Sequence, residues 1–249
     1  MMDPTKAEPI LLDRAAAYEK LRDPAFDPGT GSVLLVDKPK GWTSFDVVAF
    51  VRGRMRVRKV GHCGTLDPMA TGLLILCLGP ATRLAEHYQA ETKKYLATIR
   101  FGATTPSDDA DTEPDAHFPV AHLNEESVVA AMTTFLGETL QTPPMYSARK
   151  VGGQRLYKLA RRGEEVERQP RPVTIYEFTP VAFRLPDELD ASVVCSKGTY
   201  IRTLARDLGT ALDTGAHLTA LRRSQSGSFS VDSALSIDDI RTLRPRDDE

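Results

Sequence analysis

The sequence reads as a mixed chain of β-strands and α-helices, and three stretches carry that reading. Leu73-Leu74-Ile75-Leu76-Cys77-Leu78 is a short apolar run stopped by Gly79-Pro80, the mark of a buried strand. Tyr95, Ala97, Ile99 and Phe101 fall at every second position, the period of a strand with one buried face. Ile201, Leu204, Ala205, Leu208 and Leu212 recur at helical spacing, the clearest helix in the chain. At 249 residues the chain is one large domain or two small ones, with length enough for a sizeable core. Hydrophobic residues at 41% and charged residues at 27% describe an ordinary soluble globular protein.

Taken in order, residues 1–30 form a polar lead with Pro4, Pro9, Pro24 and Pro28, in which Leu11 to Leu21 predicts a short helix. This lead reads as a peripheral extension. Val33 to Val36 predicts a buried strand, and Pro39-Lys40-Gly41 the turn after it. Thr43 or Ser44 caps a helix carrying Val47, Val48, Phe50, Val51 and Met55, with an Arg-rich end. A short helix is expected from Ala81 to about Tyr88. Asn124 caps a helix with Val128, Met132, Phe135 and Leu136 on one face, ended by Gly137. Strands follow at about Val173 to Phe178 and Leu189 to Cys195. Thr199 opens the clear helix, with Arg202 and Arg206 off its apolar stripe. Ser236 caps a final segment, Ile237 to Leu243.

No apolar run reaches the length of a membrane span, and the N-terminus lacks a signal-peptide pattern. Cys63, Cys77 and Cys195 are odd in number and widely spaced. That argues against a disulfide frame or a structural zinc and for a reducing, cytoplasmic setting. The acidic stretch Asp108-Asp109-Ala110-Asp111-Thr112-Glu113 is not a calcium loop, because Pro114 stands where the loop needs glycine and no Glu closes it at Val120. It reads as a solvated loop.

The net charge of −2 hides a segregated distribution. Lys38 to Lys59 holds seven Lys/Arg against Asp46 alone, and Met145 to Arg171 holds eight against Glu164, Glu165 and Glu167. Gly102 to Ser127 holds seven acids and no Lys or Arg. Such a field can bind phosphate on one face while the total stays near zero, although solvated helix faces produce similar runs. In the second basic segment Tyr146 and Tyr157 are interleaved, which sets stacking surfaces among charges.

Gly61-His62-Cys63-Gly64-Thr65-Leu66-Asp67-Pro68-Met69-Ala70-Thr71-Gly72 concentrates three glycines, a proline and one carboxylate between two apolar runs. The glycines permit backbone angles or close approaches that other residues resist. Pro68 fixes its own φ and biases Asp67 towards an extended conformation. Spacing alone leaves two readings: a turn with an Asp chosen for turn chemistry, or a carboxylate presented to a polyanionic substrate.

His-Cys-Gly-Thr-Leu-Asp-Pro followed by Ala-Thr-Gly-Leu-Leu resembles the catalytic loop of the tRNA pseudouridine synthases of the TruB type. Val33 through Ser44 resembles that family's opening strand and turn, and Lys93-Lys94-Tyr95 its Lys-x-Tyr motif. Met145-Tyr146-Ser147-Ala148, Cys195 through Arg202, Ala216-His217-Leu218 and Leu221-Arg222-Arg223 fall in the family's order. Together they cover about Val33 to Ile240.

The resemblance implies an α+β fold: a mixed, largely antiparallel central sheet flanked by helices, with a catalytic domain over 31–249 and an RNA-gripping insertion near 143–171. It implies isomerisation of uridine to pseudouridine in the TΨC loop of the tRNA T-arm, with no cofactor, no metal and no obligatory protein partner. Asp67 would be the catalytic carboxylate and Arg202 its partner. Tyr95 would stack on the extruded uracil and serve in proton transfer. Tyr200 and Leu221 would line the pocket, His62 would hold the nucleotide out of the RNA stack, and Lys38 would support the loop or a phosphate. Bacterial members commonly continue into a small PUA-like domain, for which this chain leaves no room. A non-catalytic RNA-binding or chaperone module on the same scaffold is the alternative. Two other rivals are weaker. Asp213-Thr214-Gly215 matches an aspartic-protease triplet but ends a helix, and no Gly-x-Ser-x-Gly elbow of a serine hydrolase is present.

Overall fold

The computed structural model describes residues 8–147, 150–160, 162–164 and 166–244. Within the basic segment, Ala148, Arg149, Arg161 and Glu165, and the side chains of Lys150, Val151, Arg155, Tyr157 and Lys158, lie outside the described part. The chain divides into two compact units, one holding residues up to Lys93 and from Arg222 onward, the other Lys94–Leu221. Among the described residues no helix is long and apolar enough to cross a membrane.

The first unit opens with strand β1 (Ile10–Leu12) and helix α1 (Arg14–Lys20), followed by β2 (Ser32–Lys38), α2 (Ser44–Met55), β3 (Val60–His62), β4 (Thr71–Leu78) and α3 (Ala85–Ala90). β4 is its centre. One edge pairs antiparallel with β2 from Gly72 to Leu78, and β2 pairs parallel with β1. The other edge is shared: β3 takes Leu76 to Leu78, while Arg222 and Arg223 run parallel to Thr71 and Gly72. Gly72 has φ +101°, and a Cβ there would come within 2.3 Å of the Arg223 carbonyl oxygen, so this pairing needs glycine. Val33, Leu34, Leu35, Val36, Leu73, Leu74, Ile75 and Leu76 are all buried, each stabilising the fold by about 1.5–3 kcal/mol. The polar lead is more than peripheral: Leu12, Ala17 and Leu21 are buried as well.

α2 begins with a reciprocal cap. The Asp46 N–H donates to Thr43 Oγ1 and the Thr43 N–H donates to the Asp46 carboxylate. It buries Val47, Val48, Val51 and Met55 and ends at Arg56, which adopts a left-handed conformation at φ 53°.

In the second unit, β5 (Lys93–Phe101) alternates buried and more exposed residues as its period predicts. α4 (Glu125–Thr133) stops sooner than expected: Phe135 and Leu136 lie beyond it, and Leu136 is exposed. The unit continues through β6 (Gly137–Gln141), α5 (Leu156–Ala160), β7 (Arg171–Arg184), β8 (Glu188–Cys195), α6 (Ile201–Ala211) and β9 (Ala216–Ser226). Its strand order is β9-β5-β8-β7-β6, with β7 antiparallel to both β8 and β6. The remaining residues of β9, then β10 (Phe229–Ser230) and the Ser236-capped α7 (Ile237–Leu243), belong to the first unit. Parallel and antiparallel pairs both occur, the latter in the majority, and helices cover the strands, so the α+β reading holds.

Candidate active site

The Asp67 loop leaves β3 at His62 and re-enters the sheet at Thr71. Its backbone is tied down on both sides of the carboxylate. On one side the Leu66 N–H donates to Ser44 Oγ at 2.9 Å, and the Ser44 hydroxyl donates back to the Leu66 carbonyl at 3.2 Å. On the other, the Pro68 carbonyl accepts from the Gly41 N–H at 2.8 Å and from Lys38 Nζ at 3.4 Å. The Ala70 N–H closes a turn onto the Asp67 carbonyl at 3.1 Å, with Pro68 at the position such turns favour. Leu66, Met69 and Ala70 are buried, Asp67 only partly. The turn reading and the presented-carboxylate reading are therefore compatible: the turn holds the carboxylate.

Lys38 is fully buried. Its Nζ also donates to the Pro39 carbonyl at 3.0 Å and the Trp42 carbonyl at 2.6 Å. With Pro68 this engages all three ammonium protons, so of its two expected roles the geometry supports holding the loop and leaves no donor for a phosphate. Burial pushes its pKa down to about 8, with Asp67 and Asp46 opposing the shift and Arg223 adding to it. His62 is lowered as well, by burial first and then by the Arg223 charge, which favours a neutral imidazole.

Arg222 and Arg223, given no role from the sequence, brace the same loop. Arg223 is buried, donating through Nε to the Leu73 carbonyl at 2.7 Å and through Nη2 to the Gly64 carbonyl at 3.2 Å. Arg222 grips Asp37 with two bonds, at 3.0 and 2.7 Å. Consecutive arginines in a strand point to opposite faces, a signal that both faces there are occupied by polar partners. The sequence does not name those partners.

The other expected residues lie in the second unit. Tyr200 precedes α6, and Gln141 brackets its backbone: the Tyr200 N–H donates to Gln141 Oε1 at 2.7 Å and Gln141 Nε2 donates to the Tyr200 carbonyl at 3.1 Å. Tyr95 on β5 and Leu221 on β9 are buried. Arg202 is 2% exposed despite lying off the apolar stripe. Its Nη1 donates to the Ser107 carbonyl at 2.7 Å, its Nη2 to the Tyr146 carbonyl at 2.8 Å, and its Nε lies 3.5 Å from Asp109 Oδ2.

That pairing corrects the solvated-loop reading at Asp108 and Asp109, while Ala110, Asp111 and Glu113 are exposed as that reading expects. Asp108 and Asp109 are buried because each has an arginine partner, Arg206 and Arg202 respectively. Desolvation lifts Asp108 to about 6 against the pull of Arg206 and Arg202. Arginines some 95 residues away in sequence are invisible to a local reading. Asp213, of the rival protease triplet, is an exposed helix-ending residue at φ 52°, and Thr214 Oγ1 donates to the Pro119 carbonyl at 2.9 Å.

The arrangement has relatives among solved structures. The chain is similar to a protein in an H/ACA ribonucleoprotein bound to a substrate RNA containing 2′-deoxyuridine, with TM-score 0.62 and 26% identity over 83% of this chain and 51% of that one. A protein of an archaeal box H/ACA complex gives TM-score 0.62 and 25% identity over 95% of this chain and 56% of that one. The chain thus spans about half the length of these two. The model of the TruB family pseudouridylate synthase N-terminal domain matches residues 52–201, and that of the tRNA pseudouridylate synthase B C-terminal domain matches 202–248. Curated proteins named tRNA pseudouridine synthase B are 51% identical in Bacteroides fragilis (82% of this chain, 90% of that one) and 49% in Opitutus terrae (85% and 87%). The chain belongs to the TruB family of pseudouridylate synthases.

Proposed function

We propose that this protein isomerises uridine to pseudouridine in the T-arm of tRNA, in the cytoplasm, with Asp67 as the catalytic carboxylate. The C1′–N1 bond breaks, the base turns while bound, and C5 attaches to C1′. Nothing is oxidised or reduced and no group leaves for a second molecule, so the reaction balances without a co-reactant. The observation that carries this reading is the anchored loop: Ser44, Gly41 and Lys38 hold the residues flanking Asp67, in a chain about half identical to curated tRNA pseudouridine synthases B.

In this reading the Asp67 anion attacks or assists cleavage at the glycosidic bond. Arg202, held by Asp109 and two carbonyls, keeps its guanidinium fixed for the carboxylate. Tyr95 stacks on the extruded uracil and moves the proton at C5, while Tyr200 and Leu221 line the base pocket. His62, favoured as the neutral ring, helps hold the nucleotide out of the RNA stack, and Lys38 holds the loop. Tritium release from tRNA labelled at uracil C5, with the purified chain and no added cofactor, tests the assignment. Release from a T-arm hairpin supports it, and its absence from every tRNA tried refutes it.

A further inference from the structure

α2 exposes an aromatic and a basic side chain, Phe45 and Arg52, and Arg56 caps its C-terminus. Trp42 and Phe50 meet edge to face at 5.7 Å, and Phe50 lies under the guanidinium groups of Arg54 and Arg241. Those aromatics belong to the fold. Phe45 does not: it is 64% exposed in the first turn of the helix. Ala49 and Arg52 follow at i+4 and i+7, both exposed, on a face beside the buried stripe of Val47, Val48, Val51 and Met55, and the exposed Arg56 ends the helix. One helix face thus presents an aromatic plate, a small residue and one guanidinium group, with a second at the helix end.

The plate stands next to the catalytic loop. Phe45 directly follows Ser44, whose hydroxyl holds the backbone of Leu66 beside Asp67. Arg52 lies about 10 Å further along the helix axis. Of the basic residues from Lys38 to Lys59, Lys40, Arg52, Arg56, Arg58 and Lys59 are exposed against one exposed carboxylate, Asp46, while Lys38 and Arg54 are buried, so the exposed side of this stretch suits a polyanion. An apolar protein partner would gain nothing from the arginines.

We propose that this face of α2 is a track for the substrate RNA: Phe45 stacks on an unpaired base flanking the target nucleotide, and Arg52, with Arg56 beyond it, holds backbone phosphates. The inference rests on the proposed RNA substrate and adds a contact outside the expected pocket. Base–aromatic stacking is tolerant of sequence, so the track grips the loop without reading it.

The test uses the full chain and a T-arm hairpin RNA, with turnover read by tritium release and binding by fluorescence of a labelled hairpin. Phe45→Ala should raise Kd and KM about 5- to 100-fold, leaving kcat and the melting temperature unchanged, since an exposed ring supports little of the fold. Phe45→Trp should restore binding. Arg52→Gln should flatten the dependence of log affinity on log salt by about one. Unchanged affinity in both Phe45→Ala and Arg52→Gln overturns the track. So does an equal loss in Phe45→Trp, or a fall in kcat with affinity intact, which marks a loop disturbed through Ser44. Because binding is measured apart from turnover, a wild-type chain that binds the hairpin without modifying it refutes the proposed reaction while the variants still decide the track.

Discussion

Ser44 satisfies both backbone polar groups of Leu66, accepting from its N–H at 2.9 Å and donating to its carbonyl at 3.2 Å. The residues are 22 apart in sequence, and both are buried. One hydroxyl at the start of α2 thereby sets the position of the backbone that leads into Asp67.

Ser44→Ala removes that hydroxyl and strands a buried donor and acceptor. It should lower stability by about 1–3 kcal/mol, seen as a reduced midpoint in urea. A loop shifted by about an ångström costs up to about 100-fold in rate, so kcat should fall well beyond what reduced folding explains, with tRNA affinity preserved. A normal kcat in the folded variant would show that this tie does not position the carboxylate.

Lys38 gives a pH signature. Its folded pKa, near 8 because of burial, lies below the unfolded value of about 10.4. Between those values the unfolded chain binds more protons than the folded one, so stability contributed by this site rises with pH across that window. Below pH 8 the group is charged in both states and its contribution is level. The melting temperature of the wild type relative to Lys38→Met should therefore climb from about pH 8 to pH 10. Parallel curves for the two proteins would contradict the burial of this amine.

Asp109→Asn should be costly, because it leaves the Arg202 guanidinium buried beside a neutral amide. Breaking a buried pair in this way costs about 3–5 kcal/mol, measurable by denaturant unfolding. Asp108→Asn should cost much less, since its partner Arg206 is about one-third exposed and solvent screens the pair. Equal losses would mean that the Arg202 pair does not anchor this unit.

Much of this architecture was legible locally. The period-2 run of β5, the reciprocal cap at Thr43 and Asp46, and the Ser236 cap depend on residues within one or two turns of each other. The Asp67 loop stood out through its glycines and proline, and Gly72 does make the close approach that they suggest. What stayed hidden is set by partners far along the chain. Asp109 looks like a surface acid until Arg202 arrives to pair with it, and Lys38 looks like a phosphate ligand until the carbonyls of Pro39, Trp42 and Pro68 surround it. The burial of Leu12 depends likewise on β1 finding β2 in parallel register.

The central claim is that the Asp67 carboxylate does the chemistry. Asp67→Asn keeps the size of the side chain and removes the anion, with the loop ties made by the backbone of Leu66 and Pro68 left in place. The decisive measurement is tritium release from uracil-labelled tRNA by freshly prepared Asp67→Asn, alongside its tRNA affinity. The account predicts no detectable release with affinity within a few-fold of wild type, because phosphate contacts supply most of the binding. Substantial release by the fresh variant would contradict it.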